Sequence, residues 1–228
     1  MSDVLSNYLV HVVGGDSSYS GLAARIGPVT MDYDEADILI FTGGADVSPS
    51  LYGEQALART ACNPERDREE VSLYERLSHR KDKKRAYLGI CRGGQLLNVL
   101  NGGTLWQHVH DHGRDHHVVD ITTGKVYKCS STHHQMFRVP LATHAIPYKV
   151  LGVACNSEGK VFENTEKFFD SKAYDRLDHD RRDIEAMYYP NSNSLCFQPH
   201  PEYWGYPQCA ELFLHYVQTH VLPNLKKD

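Results

Sequence analysis

Gly89-Ile90-Cys91-Arg92-Gly93 is the stretch that decides the fold, because it lies where a strand pattern becomes a helix pattern. Arg85 to Ile90 is a short, largely apolar run of strand character, and Gly93 to Leu100 carries Leu96, Leu97, Val99 and Leu100 at helical spacing. Cys91 therefore falls on the turn between them. A turn this sharp needs little side-chain bulk on either side, which Gly89 and Gly93 provide, so that the residue at its apex projects outward. A side chain at the start of a helix also meets the positive end of the helix dipole and unpaired amides, which suit an anionic nucleophile. Arg92 adds positive charge beside it. This is the layout of a nucleophile elbow, although a buried structural cysteine among loop glycines would show the same five residues.

Outward from the elbow, strand and helix patterns alternate. Tyr8 to Val13 is a strand pattern ending at Gly14-Gly15, and Tyr19 to Ile26 is a short helix pattern closed by Gly27-Pro28. Ala36 to Phe41 is a second strand, bounded by Thr42-Gly43-Gly44, and a helix begins at Pro64 with Val71, Leu73, Tyr74 and Leu77 as its buried stripe. Such alternation predicts an α/β fold, a mostly parallel central sheet with helices on both faces, with ligands at the carboxyl ends of the strands. The second half is richer in strands: Val118 to Thr122, Lys125 to Ser130, Tyr148 to Ala154, Ile184 to Tyr189 and Ser194 to Gln198. Gly124 and Asn191-Ser192-Asn193 mark two hairpins, which adds antiparallel strands to the C-terminal half. Ala210 to Val221 is an amphipathic helix.

Composition narrows the function classes. At 228 residues the chain can bury a full core, and with no linker or repeat it reads as a single domain over residues 1–228. Its 41% hydrophobic and 23% charged residues are those of a globular protein, and no apolar run approaches a bilayer span. A net charge of -5 gives no general attraction to nucleic acid or to anionic membrane. Six scattered cysteines without framework spacing, and no signal-like start, fit a reducing cytoplasm.

A thiol nucleophile needs a base that also protonates the leaving group, and that base needs a third group to hold its tautomer. His200-Pro201-Glu202 supplies both within three residues, directly after the last strand pattern. Pro199 and Pro201 bias Gln198 and His200 toward extended backbone, where residues two apart share a side, so Glu202 can stand beside the His200 imidazole. A developing oxyanion would find donors in the backbone amides of Gly43 or Gly44 and of Arg92.

Together, Gly89 to Gln95 and Gln198 to Glu202 resemble the class I glutamine amidotransferase superfamily, and the order of the motifs along the chain matches as well. Within it, Thr42 to Glu54, Asn63 to Glu70 and His133-His134-Gln135 look most like the branch of γ-glutamyl hydrolases and γ-glutamyl-aminobutyrate hydrolases. The resemblance implies a flavodoxin-like architecture and a catalytic triad of Cys91, His200 and Glu202. It also implies that Gln95 and the backbone near His133, His134 and Gln135 hold the glutamyl part of a small γ-glutamyl substrate, with no cofactor. Two departures stand out: Pro199 replaces an aromatic residue, and the opening stretch from Tyr8 to Phe41 is short. The expected chemistry is amide cleavage through a γ-glutamyl thioester. If the leaving group is ammonia, the substrate is glutamine and a separate synthase or ligase subunit receives it; if an amine or peptide, the protein is a free-standing hydrolase. A non-catalytic binding protein of the same fold is the third reading.

His108, His110, His112, His116 and His117, with Asp111 and Asp115, are a dense set of metal-ligand types. They lack a standard ligand spacing, and His116-His117 runs straight into Val118-Val119, so the stretch is read as a polar loop near the pocket mouth and no metal site is assigned.

Overall fold

A computed structural model describes residues 5–110, 112–139, 146–155, 162–164, 167–169 and 183–225. Asp111 of the histidine-rich stretch lies outside them. The elements run β1 (Val10–Val13), α1 (Ser17–Ile26), β2 (Ile38–Phe41), α2 (Pro64–Ser78), β3 (Ala86–Ile90) and α3 (Arg92–Leu100). Short strands follow as β4 (Thr104–Trp106), β5 (His108–Val109), β6 (His116–Asp120), β7 (Val126–Cys129) and β8 (Met136–Arg138). Then come β9 (Lys149–Ala154), β10 (Phe162–Asn164), β11 (Lys167–Phe169), β12 (Ile184–Tyr189), β13 (Ser194–Phe197) and α4 (Pro207–Tyr216).

Eight strands form one sheet in the order β1-β2-β3-β13-β12-β9-β6-β7. The first four are parallel, with Phe41 opposite Gly89 and Phe197 opposite Ile90, so β2, β3 and β13 end together at one edge. From β13 onward each pairing is antiparallel, which gives the extension expected of the C-terminal half. The hairpin joining β12 to β13 turns at Asn193, whose φ of 50° is tolerated because Asn visits the left-handed region more readily than most residues.

Alternation along the parallel strands feeds two apolar layers. Ile38, Ile40, Leu88, Ile90, Leu195 and Phe197 face α1 and α4, meeting Leu22, Ile26, Phe213 and Tyr216. Leu39, Phe41, Tyr87 and Cys196 face the other way, toward Tyr74 and Leu77 of α2 and Leu96 and Leu97 of α3. A strand buried on both faces reads as a continuous apolar run, as β2 does.

Local chemistry explains the boundaries. Asp16 caps α1 by accepting from Ser18 N, and Asn63 caps α2 by accepting from Arg66 N with Pro64 at the first helical position. The strand expected over Val118 to Thr122 instead spans His116–Asp120, because the Asp120 carboxylate accepts from Thr122 N at 2.9 Å and from the hydroxyls of Thr122 and Thr123 at 2.7 Å, closing a turn. The last helix starts earlier than its apolar stripe, at Pro207, and continues past Tyr216 as a π-helical turn over Val217–Val221. Among the described residues no helix is long and apolar enough to cross a membrane.

Candidate active site

The three motifs converge because their strands are neighbours. Cys91 caps α3 with φ 51° and ψ -114°, a strained conformation for a side chain-bearing residue that fits an elbow. The turn is pinned on both sides: Cys91 N donates to Phe197 O at 2.8 Å and Gln95 N donates to Cys91 O at 3.0 Å. Gly93 is required by close approach, since a Cβ there would lie 2.0 Å from Phe41 O. The helix is thus pressed onto β2, next to the turn that carries Gly43.

His200 reaches the same place from the end of β13. Its backbone N–H donates to Ser130 Oγ at 3.0 Å, and Ser130 Oγ donates back to His200 O at 3.1 Å, which fixes the loop. Its Nδ1 lies 2.7 Å from Glu202 Oε1, so Nδ1 carries the proton and Nε2 is the nitrogen left for the thiol. Tyr203 stacks on the imidazole at 4.6 Å between ring centroids. Burial works against charge on His200, but Cys91 and Glu202 outweigh it and raise its pKa to about 11. Gly43 is the common neighbour: a Cβ on it would lie 2.9 Å from Tyr19 Oη, 3.0 Å from His200 Cε1 and 3.7 Å from Cys91 Cβ.

The Gly43 amide donates to the Tyr19 hydroxyl at 3.1 Å. Burial, reinforced by the Glu202 carboxylate, holds that hydroxyl well above the ordinary phenol range, so it stays protonated. Arg92 N is at the first position of α3 and has no partner within the helix, as any amide there lacks one. The Arg92 side chain does not extend the field at the thiol as the sequence reading has it. It is buried and runs away from Cys91 into an ion-pair network with Asp67 and Glu70 of α2. Arg66 joins the network, pairing with Glu70 at 2.7 Å and donating to Gly43 O at 2.9 Å and Thr42 O at 3.1 Å. Asp67 also accepts from Ser48 N at 2.9 Å. Two arginines and two carboxylates therefore clamp the Gly43 turn against the elbow.

Beside Cys91 is a small cleft of about 230 Å³ lined by Gly44, Asp46, Gln95, His133, His134 and Gln135, among others. It is below the roughly 300–1,000 Å³ of drug-sized pockets, and so suits an amino-acid-sized group. Gln95 is buried and donates to Gln135 O at 3.1 Å and to Gln198 Oε1 at 3.3 Å. Gln198 in turn points its amide at Cys91 Sγ, 3.7 Å away. The Gln135 amide is buried with neither end hydrogen-bonded in the protein. His134 is half-exposed and pairs with Asp46 at 3.0 Å, which raises its pKa. His133 contributes to the wall, but its ring nitrogens face Gln135 O and Glu185.

Tyr19, Ser130, Gln198 and Tyr203 are the neighbours that the sequence did not single out for a role. Only Gln198 carried a signal, through its place in the motif before His200. The histidine-rich stretch also differs from the polar loop expected of it. His112 is fully buried, and His116 lies in β6 facing inward beside Glu185.

A model of the peptidase C26 family matches residues 28–202, and the chain belongs to that family, within the class I glutamine amidotransferase-like superfamily. Over 72 residues it is 46% identical to a Lactococcus lactis subsp. cremoris protein described as the glutamine amidotransferase-like YvdE homolog, a stretch covering 31% of this chain and 37% of that relative. The match thus spans well under two thirds of that relative's length. The fold is shared with a Thermoplasma acidophilum protein described as part of a GMP synthase, at TM-score 0.56 and 14% identity over 93% of both chains. It is shared also with a glutamine amidotransferase from Thermotoga maritima, at TM-score 0.53 and 11% identity over 93% of this chain and 83% of that one.

Proposed function

We propose that the protein is a cysteine-dependent amidohydrolase that cleaves a γ-glutamyl amide through Cys91, His200 and Glu202. The observation that carries this reading is topological. β2, β3 and β13 are adjacent and parallel, so the Gly43 turn, the Cys91 elbow and the His200-Glu202 loop leave the sheet at one edge. In the first half-reaction the Cys91 thiolate attacks the γ-carbonyl and His200 Nε2 gives its proton to the departing nitrogen. His200 then takes a proton from water, which attacks the γ-glutamyl thioester and releases glutamate and the thiol. Glu202 keeps Nδ1 protonated and stabilises the imidazolium.

The oxyanion in each half-reaction would be met by the amides of Arg92 and Gly44, with Gly43 joining if Tyr19 releases it. Gln95 and Gln135 would hold the glutamyl head group. The buried, unsatisfied Gln135 amide supports this, since such a group is stabilised by a polar partner entering the cleft. No step calls on a cofactor.

The leaving group divides the reading. Likeness in fold to part of a GMP synthase favours glutamine as substrate, with ammonia passed to a separate synthase subunit. Membership of a peptidase family favours a free-standing γ-glutamyl peptide or amine hydrolase. Purified protein incubated with glutamine and, separately, with γ-glutamyl amines and peptides should release glutamate, and Cys91→Ala should reduce release to background. Preference for glutamine selects the synthase-linked reading, and preference for substituted amides selects the hydrolase. Release that survives in Cys91→Ala would sink the mechanism.

A further inference from the structure

Away from the thiol, four side chains from three separate parts of the chain converge in the interior. His112 precedes β6, His116 opens it, His133 belongs to the loop between β7 and β8, and Glu185 is the second residue of β12. One ligand-type atom from each lies within 4.8 Å of the others, and His112, His133 and Glu185 are buried. The Glu185 carboxylate is at the centre, 3.3 Å from His112 Nδ1, 3.0 Å from His116 Nε2 and 3.6 Å from His133 Nε2.

The protons decide what this cluster is. His133 Nδ1 lies 2.9 Å from Gln135 O, and His116 Nδ1 lies 3.3 Å from Arg114 O. A carbonyl only accepts, so in the neutral His133 ring Nδ1 carries the proton and Nε2 is a bare lone pair, whereas His116 has an acceptor beside each nitrogen. The bare His133 nitrogen and His116 Nε2 both face the Glu185 carboxylate, which also only accepts. His116 Nε2, His133 Nε2 and both Glu185 oxygens are buried without a hydrogen bond in the protein. Lone pairs facing lone pairs in the interior repel unless something positive lies between them. Separate protons on the rings would gather several imidazolium charges around one carboxylate in a buried space, whereas one divalent cation meets all four donors together.

We propose that His112 Nδ1, His116 Nε2, His133 Nε2 and the Glu185 carboxylate form a closed site for a divalent transition-metal ion, zinc by its ligand chemistry. Bonds of about 2.0–2.1 Å in a tetrahedron give ligand-to-ligand edges of roughly 3.3–3.4 Å. His116 Nε2 and His112 Nδ1 lie 3.0 and 3.3 Å from Glu185 Oε1, near that value, and His133 Nε2 lies 3.6 Å from the other oxygen, Oε2. The surroundings match a metal site as well, because metal-bound imidazoles commonly donate their other N–H to a carbonyl or carboxylate. His133 and His116 have carbonyls in that position, and His112 Nε2 faces Asp183 Oδ1 at 3.6 Å.

Four protein ligands in a buried position leave no open coordination place, so the ion is structural. It ties the histidine-rich stretch and the cleft wall carrying His133 to β12. The Glu185 carbonyl accepts from Gln198 N at 2.8 Å, and the Gln198 amide points at Cys91 Sγ, so the ion braces the back of the active site.

The test uses full-length protein purified without a polyhistidine tag and desalted. Elemental analysis should find about one zinc per chain, and stripping with dipicolinate should lower the melting temperature by about 5–10 °C, with zinc restoring it. Stripped protein given cobalt should develop the visible absorption of a four-coordinate site. His116→Ala and Glu185→Gln should lose the ion, while His117→Ala, exposed on the neighbouring position, should keep it. Should either variant fail to fold, stripping and reloading the natural protein decides the matter alone. Protein that holds under a tenth of an equivalent of any metal and shows no melting response to zinc, cobalt, nickel, manganese or iron overturns the site. So does metal retained in full by both variants.

Discussion

Gly43 is the residue on which the elbow, the base and Tyr19 all bear. A methyl group there would press on His200 and on the Tyr19 hydroxyl at distances that real Cβ atoms rarely reach. Gly43→Ala is expected to lower glutamate release at least 10²-fold, on the scale of a misplaced catalytic group, with the circular dichroism spectrum unchanged. His200 carries a second expectation. Its pKa is about 11 in the folded protein against about 6.5 for a free histidine, so the folded state binds this proton more tightly. Its contribution to stability is therefore complete below about pH 6.5, declines as pH rises, and is gone above about pH 11. Glu202→Gln removes one of the two groups that favour the charge, so urea unfolding between pH 6 and pH 10 should show a flatter decline in the variant. An equal slope in both proteins would detach Glu202 from the imidazole.

At the level of elements, α2 does what its exposed sequence conceals. Its apolar stripe packs on the sheet, yet its first two turns supply Arg66, Asp67 and Glu70 to a buried network that holds the Gly43 turn and the Arg92 guanidinium. Removing one partner of a buried pair leaves an uncompensated charge, which costs about 3–5 kcal/mol. Glu70→Ala should cost less, about 1.5–3 kcal/mol in chemical denaturation, because the buried Arg92 keeps Asp67 as a partner. A loss below about 1 kcal/mol would mean that the network is solvated and holds little. Buried pairs of this kind often fix a geometry more than they stabilise a fold, and here the geometry is that of the oxyanion donors proposed at Gly44 and Arg92.

Across the whole molecule, a parallel half that builds the site is joined to an antiparallel half that backs it. α4 spans the junction: Tyr216 packs on Phe197 of β13 and donates its hydroxyl to Leu151 O in β9 at 2.8 Å. Tyr216→Phe removes one of two donors to that carbonyl, which keeps Ile121 N at 3.0 Å, for an expected cost of about 0.5–1.5 kcal/mol, measurable as a lower urea midpoint with an unchanged slope. A changed slope would show instead that the two halves had begun to unfold separately.

Much of this was legible in the chain itself. The elbow, the β2 and β3 strands, the Pro64 start of α2 and the His200-Pro201-Glu202 spacing are local patterns, set by glycine sterics, by proline restriction and by apolar periodicity that neighbouring residues impose on one another. The closed Asp120 turn was as local, but the apolar Ile121 beyond it disguised the strand end. What only the tertiary structure decided is which distant groups meet. Arg92 could be read as a field beside the thiol until α2 brought Asp67 and Glu70 to it, 25 and 22 residues away along the chain. His133 and Glu185 gave no ligand spacing with His112 and His116, because the loop after β7 and the start of β12 are brought beside β6 by the fold and not by sequence. Periodicity and turn chemistry act over a few residues, whereas buried charge and lone-pair geometry are settled only when separate strands close around the same point.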